Sequence, residues 1–303
     1  MKYLSVIKRS VYPFLLMLII LASSCIKEDL DACYKLTLKV ENAKGDDITT
    51  LDGEVKSAIL FVYDENGKLL EKRSLDETFI TSRKEIILDY PASRNLHIVA
   101  WGNAEEGNQE VDESSELAGL TVKLKSQNEL AQSPDRLYYG NKDVTTVGNG
   151  TVAGGDQEIV IRCKVGTITM ETIGLDNVKR LKGLKSTTGL NFYMDRTLNT
   201  FNAEGTLVGD SVYYNPDNQT KAATPTDIET IDPNNVVAGE NLTFRLNLGG
   251  DNEYTRTTDD EGNHFATTIE NNTHVQFVFG EDGTLSVKVK VTPWGVVDDD
   301  VEL

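Results

Sequence analysis

The sequence predicts a mainly β protein, two tandem β-sandwiches behind a removable N-terminal leader, and three observations carry that expectation. Apolar and polar residues alternate along most of the chain after residue 33, turn-forming residues separate the alternating runs, and no stretch holds a long apolar stripe at helical spacing.

The leader comes first. Lys2, Lys8 and Arg9 precede the apolar run Val11 to Ala22, which only Pro13 interrupts. A membrane-spanning helix needs about 20 apolar residues, so this shorter run reads as a signal peptide covering residues 1–24. Leu21-Ala22-Ser23-Ser24-Cys25 then resembles a lipobox, the cleavage and acylation site of bacterial lipoproteins, with Ala22 standing where leucine is commonest. Cys25 is expected to become the acylated N-terminus; ordinary secretion with a free Cys25 is the alternative. One acyl chain holds a membrane only marginally, so stable anchoring takes more than one.

Loss of the leader removes three positive charges and takes the formal charge from −18 to −21. Such a surface repels nucleic acid, which is excluded as a partner. Once Cys25 carries lipid, Cys33 and Cys163 remain as an even pair, and outside the cytoplasm they are candidates for a disulfide. Cys163 also alternates in phase with Ile159, Ile161 and Val165, so a buried free thiol is the competing reading.

The alternation is plainest in three runs: Tyr34, Leu36, Leu38 and Val40; Leu242, Phe244, Leu246 and Leu248; and Leu285, Val287, Val289 and Val291, which Pro293 ends. Strands are also expected over 58–63, 85–88, 96–101, 120–124, 158–172, 190–194, 207–214 and 275–279, with turns at Glu65-Asn66-Gly67, Glu261-Gly262-Asn263 and Glu281-Asp282-Gly283. The best helical candidate is Gln127 to Gln132, closed by Ser133-Pro134. One seven-strand sandwich uses about 100 residues, so the mature length calls for two. The Gly-rich stretch Val147 to Gln157 supplies the boundary: a tether over 25–33, one sandwich over 34–150 and another over 151–303. Asn215 to Asn235, polar and Pro-containing, reads as a long loop.

Candidates for chemistry are few. His97, His264 and His274 stand in no metal-ligand or hydrolase spacing. Thr258 to Asn263 looks superficially like a calcium loop but lacks the EF-hand ligand spacing and closing glutamate, which leaves a charged hairpin tip. Trp101 and Trp294 are possible sugar platforms, yet their place at strand ends favours packing. No cofactor and no enzymatic activity are expected.

With these elements in order, the chain resembles the FimB-type fimbrial anchor family of Bacteroidales. The resemblance is carried by the lipid cysteine followed by Cys33-Tyr34-Lys35-Leu36-Thr37-Leu38 and by Leu96-His97-Ile98-Val99-Ala100-Trp101-Gly102-Asn103. Asp135-Arg136-Leu137-Tyr138-Tyr139-Gly140, the strand pair from Ile159 to Thr172 and Val291-Thr292-Pro293-Trp294-Gly295 complete it. It implies two transthyretin-like sandwiches, a structural role, fimbrial stalk subunits as partners, and an outer membrane reached through lipid. It also implies that Lys27, Glu28 and Asp29 form an acidic tag for display on the cell exterior. Strand addition at an open sheet edge is the physical route to assembly; an N-terminus committed to lipid leaves the tail, Val296, Val297, Val301 and Leu303, as the freer donor. The competing reading is a glycan-binding surface lipoprotein of a polysaccharide-uptake system; a secreted hydrolase comes last.

Overall fold

The computed structural model describes residues 34–51, 54–90, 94–105, 107–146, 157–184, 191–215, 221–223, 228–230 and 234–296. Strands dominate, as the alternation predicts, and they form three sheets. Among the described residues no helix is long and apolar enough to cross a membrane.

The first sheet has seven strands in the order β3 (Leu69–Asp76), β2 (Ser57–Asp64), β5 (Arg94–Gly102), β10 (Tyr138–Thr146), β11 (Gln157–Cys163), β1 (Tyr34–Glu41) and β4 (Ile86–Leu88). In β1 the residues Tyr34, Leu36, Leu38 and Val40 are buried between half-buried Lys35, Thr37 and Lys39. β2, between β3 and β5, is buried continuously from Ala58 to Tyr63, as a strand covered on both faces must be. The second sheet runs β19 (Glu253–Arg256), β18 (Gly239–Asn247), β13 (Asn191–Phe201), β14 (Leu207–Tyr214), β9 (Leu130–Ala131), β8 (Ser126–Gln127). Off that path, β20 (Phe265–Thr267) pairs with β18, β7 (Thr121–Leu124) with β13, and β6 (Gln109–Asp112) with β7. The third sheet runs β15 (Lys221–Ala223), β16 (Ile228–Thr230), β12 (Val165–Ile173), β21 (Asn271–Phe279), β22 (Leu285–Pro293), with β17 (Asn234–Val237) also on β12.

β13 is the spine that joins them. Near its end, Phe201 lies 5.5 Å from Trp101 of the first sheet, and near its start Phe192 lies 6.1 Å from Phe277 of the third. Each buried aromatic of this size contributes about 1.5–3 kcal/mol of apolar burial.

Four expectations need correction. The strand read continuously over 158–172 breaks at Lys164, whose N–H donates to Leu137 O at 2.8 Å, and there the chain leaves the first sheet for the third. β11 therefore belongs to the first sheet although it follows the Gly-rich stretch, which itself lies outside the described residues. Gln127 to Gln132 is a hairpin, not a helix: Asn128 and Glu129 take φ of 52° and 65°, the two positive values that a two-residue hairpin turn requires. Within Asn215 to Asn235 the described residues include β15, β16 and the start of β17.

Candidate assembly surfaces

β1 carries the end nearest the expected lipid. It is flanked on both edges, parallel to β11 over Leu36–Glu41 and antiparallel to β4 over Tyr34–Leu36. The parallel register sets Leu36 beside Gln157 and Glu41 beside Arg162. Tyr34, where β1 begins, and Cys163, where the chain leaves, therefore sit at opposite ends of the sheet, about 20 Å or more apart at roughly 3.3 Å per residue. A disulfide needs Cα atoms within about 7 Å. Cys163 is a free, buried thiol whose Sγ donates to Val165 O at 3.4 Å, and Cys33 lies outside the described residues. Burial pushes that thiol up to about 12. Cys163 thus takes the form of the competing reading, a buried free thiol, rather than half of a disulfide with Cys33.

The waist where the first sheet meets the third is built from residues far apart in sequence. Arg136 Nη1 donates to Glu54 Oε2 at 2.6 Å, Tyr138 OH donates to the same oxygen at 2.8 Å, and the guanidinium lies 4.5 Å from the Trp294 ring. Asn103, at φ 57°, donates to Glu54 O and Arg136 O at 2.8 and 2.9 Å, a left-handed geometry that asparagine tolerates. Trp294 Nε1 donates to Thr167 Oγ1 at 3.0 Å, and its N–H donates to Glu270 O at 2.9 Å. Burial alone raises the Glu54 carboxyl; Arg136 and Tyr138 override it and hold the group below its ordinary value. The quoted runs around Trp101, Arg136 and Trp294 thus meet at one junction. Sequence reading assigned Arg136 and Glu54 no role, because their separation of 82 residues leaves no local signal.

β22 is an edge strand with β21 as its partner. Val287 is buried, Leu285 and Val289 are partly buried, and Val291 is 50% exposed, so the core takes the first half of the alternating run and releases the second. Val296 is 52% exposed. The other expected tail positions Val297, Val301 and Leu303 lie outside the described residues, as do Cys25, Lys27, Glu28, Asp29 and Cys33.

The remaining candidates resolve as ordinary structure. Trp101 is wholly buried, and one face of Trp294 is met by Arg136. His97 Nδ1 sits 2.5 Å from Asp143 Oδ1, and His274 Nε2 sits 3.2 Å from Glu171 Oε2. The acidic 258–263 segment is a hairpin tip in which Asp259 Oδ1 accepts from Asn263 N–H at 2.8 Å, while Asp260 reaches across to β22. Among the described residues no group of three or more His, Cys, Asp or Glu is arranged to hold a metal ion.

Against known proteins, a family model described as "Fimbrillin-A associated anchor proteins Mfa1 and Mfa2" matches residues 30–300. The major fimbrium anchoring subunit FimB of Porphyromonas gingivalis strain ATCC 33277 is 26% identical over 284 residues, covering 92% of each chain. Among solved structures, the fimbrial anchor protein Mfa2 from Porphyromonas gingivalis superposes with a TM-score of 0.59 at 14% identity, covering 86% of this chain and 98% of that one. A protein of Bacteroides thetaiotaomicron described as a candidate polysaccharide-binding protein gives a TM-score of 0.63 at 15% identity, covering 86% and 98%. The chain belongs to the family of fimbrillin-A associated anchor proteins.

Proposed function

We propose that this chain roots a surface fimbria in the outer membrane: acylated Cys25 holds the lipid, residues 25–33 form the tether, Lys27, Glu28 and Asp29 direct display on the exterior, and a stalk subunit joins by β-strand complementation. Family membership supports the fimbrial role. The observation that carries the anchoring reading is β1. A subunit whose first strand was cut away would have a groove between β11 and β4; β1 fills that space with Leu36, Leu38 and Val40 buried, and a chain held through Cys25 has to keep that strand. Cutting it would sever the lipid from the sandwich.

Mass spectrometry of the mature N-terminus tests the anchor. An acylated Cys25 is expected, with Cys25→Ala released from membranes; an unmodified terminus at another residue contradicts the reading. Glu28→Ala with Asp29→Ala is expected to keep acylation and lower protease accessibility on whole cells. The tail beyond Trp294 is the proposed donor, so deletion of residues 296–303 should leave a folded lipoprotein whose cells shed fimbriae. We propose the two units as transthyretin-like sandwiches about the spine β13.

The glycan-binding reading draws support from the fold neighbour described in those terms. It gains less from the tryptophans: Trp101 is in the core and Trp294 is stacked under Arg136.

A further inference from the structure

Among the described residues, the outer edge of β22 has a defined window of backbone without a partner. Asp260 marks one end: its N–H donates to Val287 O at 3.1 Å and its Oδ1 accepts from Val287 N–H at 3.0 Å. These bonds come from the side away from β21, so Val287 points its backbone groups outward. By the alternation of an antiparallel ladder, Val289, Val291 and Pro293 point theirs outward too. Pro293 closes the window, because it has no N–H to give and its carbonyl accepts from Val296 N–H at 3.3 Å. Between these two stops, no described residue pairs with the outward N–H and C=O of Val289 and Val291.

Apolar surface accompanies the window. Val291 and Val296 are two of the four exposed large hydrophobic residues among those described. Beside them a cleft of about 460 Å³ opens on the outer face, lined by Arg136, Thr167, Asn272, Thr292 and Trp294. The other long edge, β3, is less available: Leu69 N–H already donates to Ser115 O at 2.8 Å, and Glu71, Lys72 and Arg73 follow in succession.

We propose that the Val289–Val291 edge of β22 is an acceptor for one extended strand from a fimbrial stalk subunit, with neutral or acidic residues beside Lys288 and Lys290. This rests on the anchoring reading and adds to it, beside the tail proposed as donor, an edge that receives a strand of the stalk in return. A second copy of this chain does not fit. Two β22 edges laid antiparallel set the lysines of each against those of the other, and like charges opposite one another destabilise a strand pair. An incoming strand would take four backbone hydrogen bonds from Val289 and Val291 and lay alternate side chains toward Val291 and toward the cleft.

The test uses full-length chain in cells, comparing fimbriae kept on cells with fimbriae in the medium. Val289→Pro with Val291→Pro removes two outward N–H groups while leaving the inward bonds of Lys288, Lys290 and Thr292 to β21 in place, since proline is tolerated where the N–H faces away from the sheet. Lost bonds of this kind weaken attachment by about tenfold or more, so a folded double variant is expected to shed fimbriae. Val291→Lys, at a half-exposed position, is the second variant and should shed as well, whether or not the prolines are tolerated. Normal retention by either variant, with a melting temperature near the parent's, overturns the proposal. A strain lacking this chain is the reference: shedding there with retention in the variants rejects the edge and spares the anchor, whereas retention there rejects both.

Discussion

At Arg136 a single guanidinium meets both halves of the molecule, pairing with Glu54 before β2 and covering Trp294 after β22. Both partners are partly exposed, which limits the worth of the pair, so Arg136→Ala is expected to cost about 1–2 kcal/mol in urea unfolding. Asp47 makes a cleaner pH prediction. Burial alone would raise its carboxyl, but Thr49 and Arg83 outweigh that and lower it from 3.8 to about 2. A depressed folded value stabilises above the unfolded value and is lost as pH falls through the folded one. Stability should therefore drop between about pH 4 and pH 2 through this group, and Asp47→Asn should flatten that part of the acid unfolding curve. Cys163 offers a third check, because its buried, proton-retaining thiol should resist alkylation in the native protein and react on unfolding. Rapid native labelling, or no free thiol after unfolding, would count against the account.

Among the elements, strands with strict alternation were legible in the sequence: β1 buries Tyr34, Leu36, Leu38 and Val40 on one face, and the same period of two in the residues marks β18 and β22. The misreadings each have a local cause. Polar Asn128 and Glu129 turn a two-residue hairpin that composition alone renders as a helix start. Lys164 interrupts no pattern, since Val165 resumes the alternation on the far side of the crossing. β15 and β16 are three-residue strands in a polar stretch, too short for any period to appear. Packing between β10 and β11 gives a prediction at this scale. A Cβ on Gly140 would lie 2.0 Å from Val160 O, a backbone atom with no room to retreat. Gly140→Ala should cost about 1–3 kcal/mol by overpacking, read as a lower denaturant midpoint.

For the whole molecule, the two strand directions set a polarity. The chain enters at the Tyr34 end of the first sheet, crosses at Lys164, and returns along β22 to the waist, where Trp294 meets Thr167 and Arg136. The waist and the β22 window were not legible in the sequence, because they depend on contacts between distant residues such as Asp260 and Val287. The central claim is that one chain holds both a lipid and a fimbria. Cys25→Ala removes the lipid without touching the strands, and electron microscopy of the medium with an antibody against this chain reads the result. The account predicts released fimbriae carrying the chain at one end. Fimbriae still rooted in cells, or released chain with no fimbria attached, would contradict it.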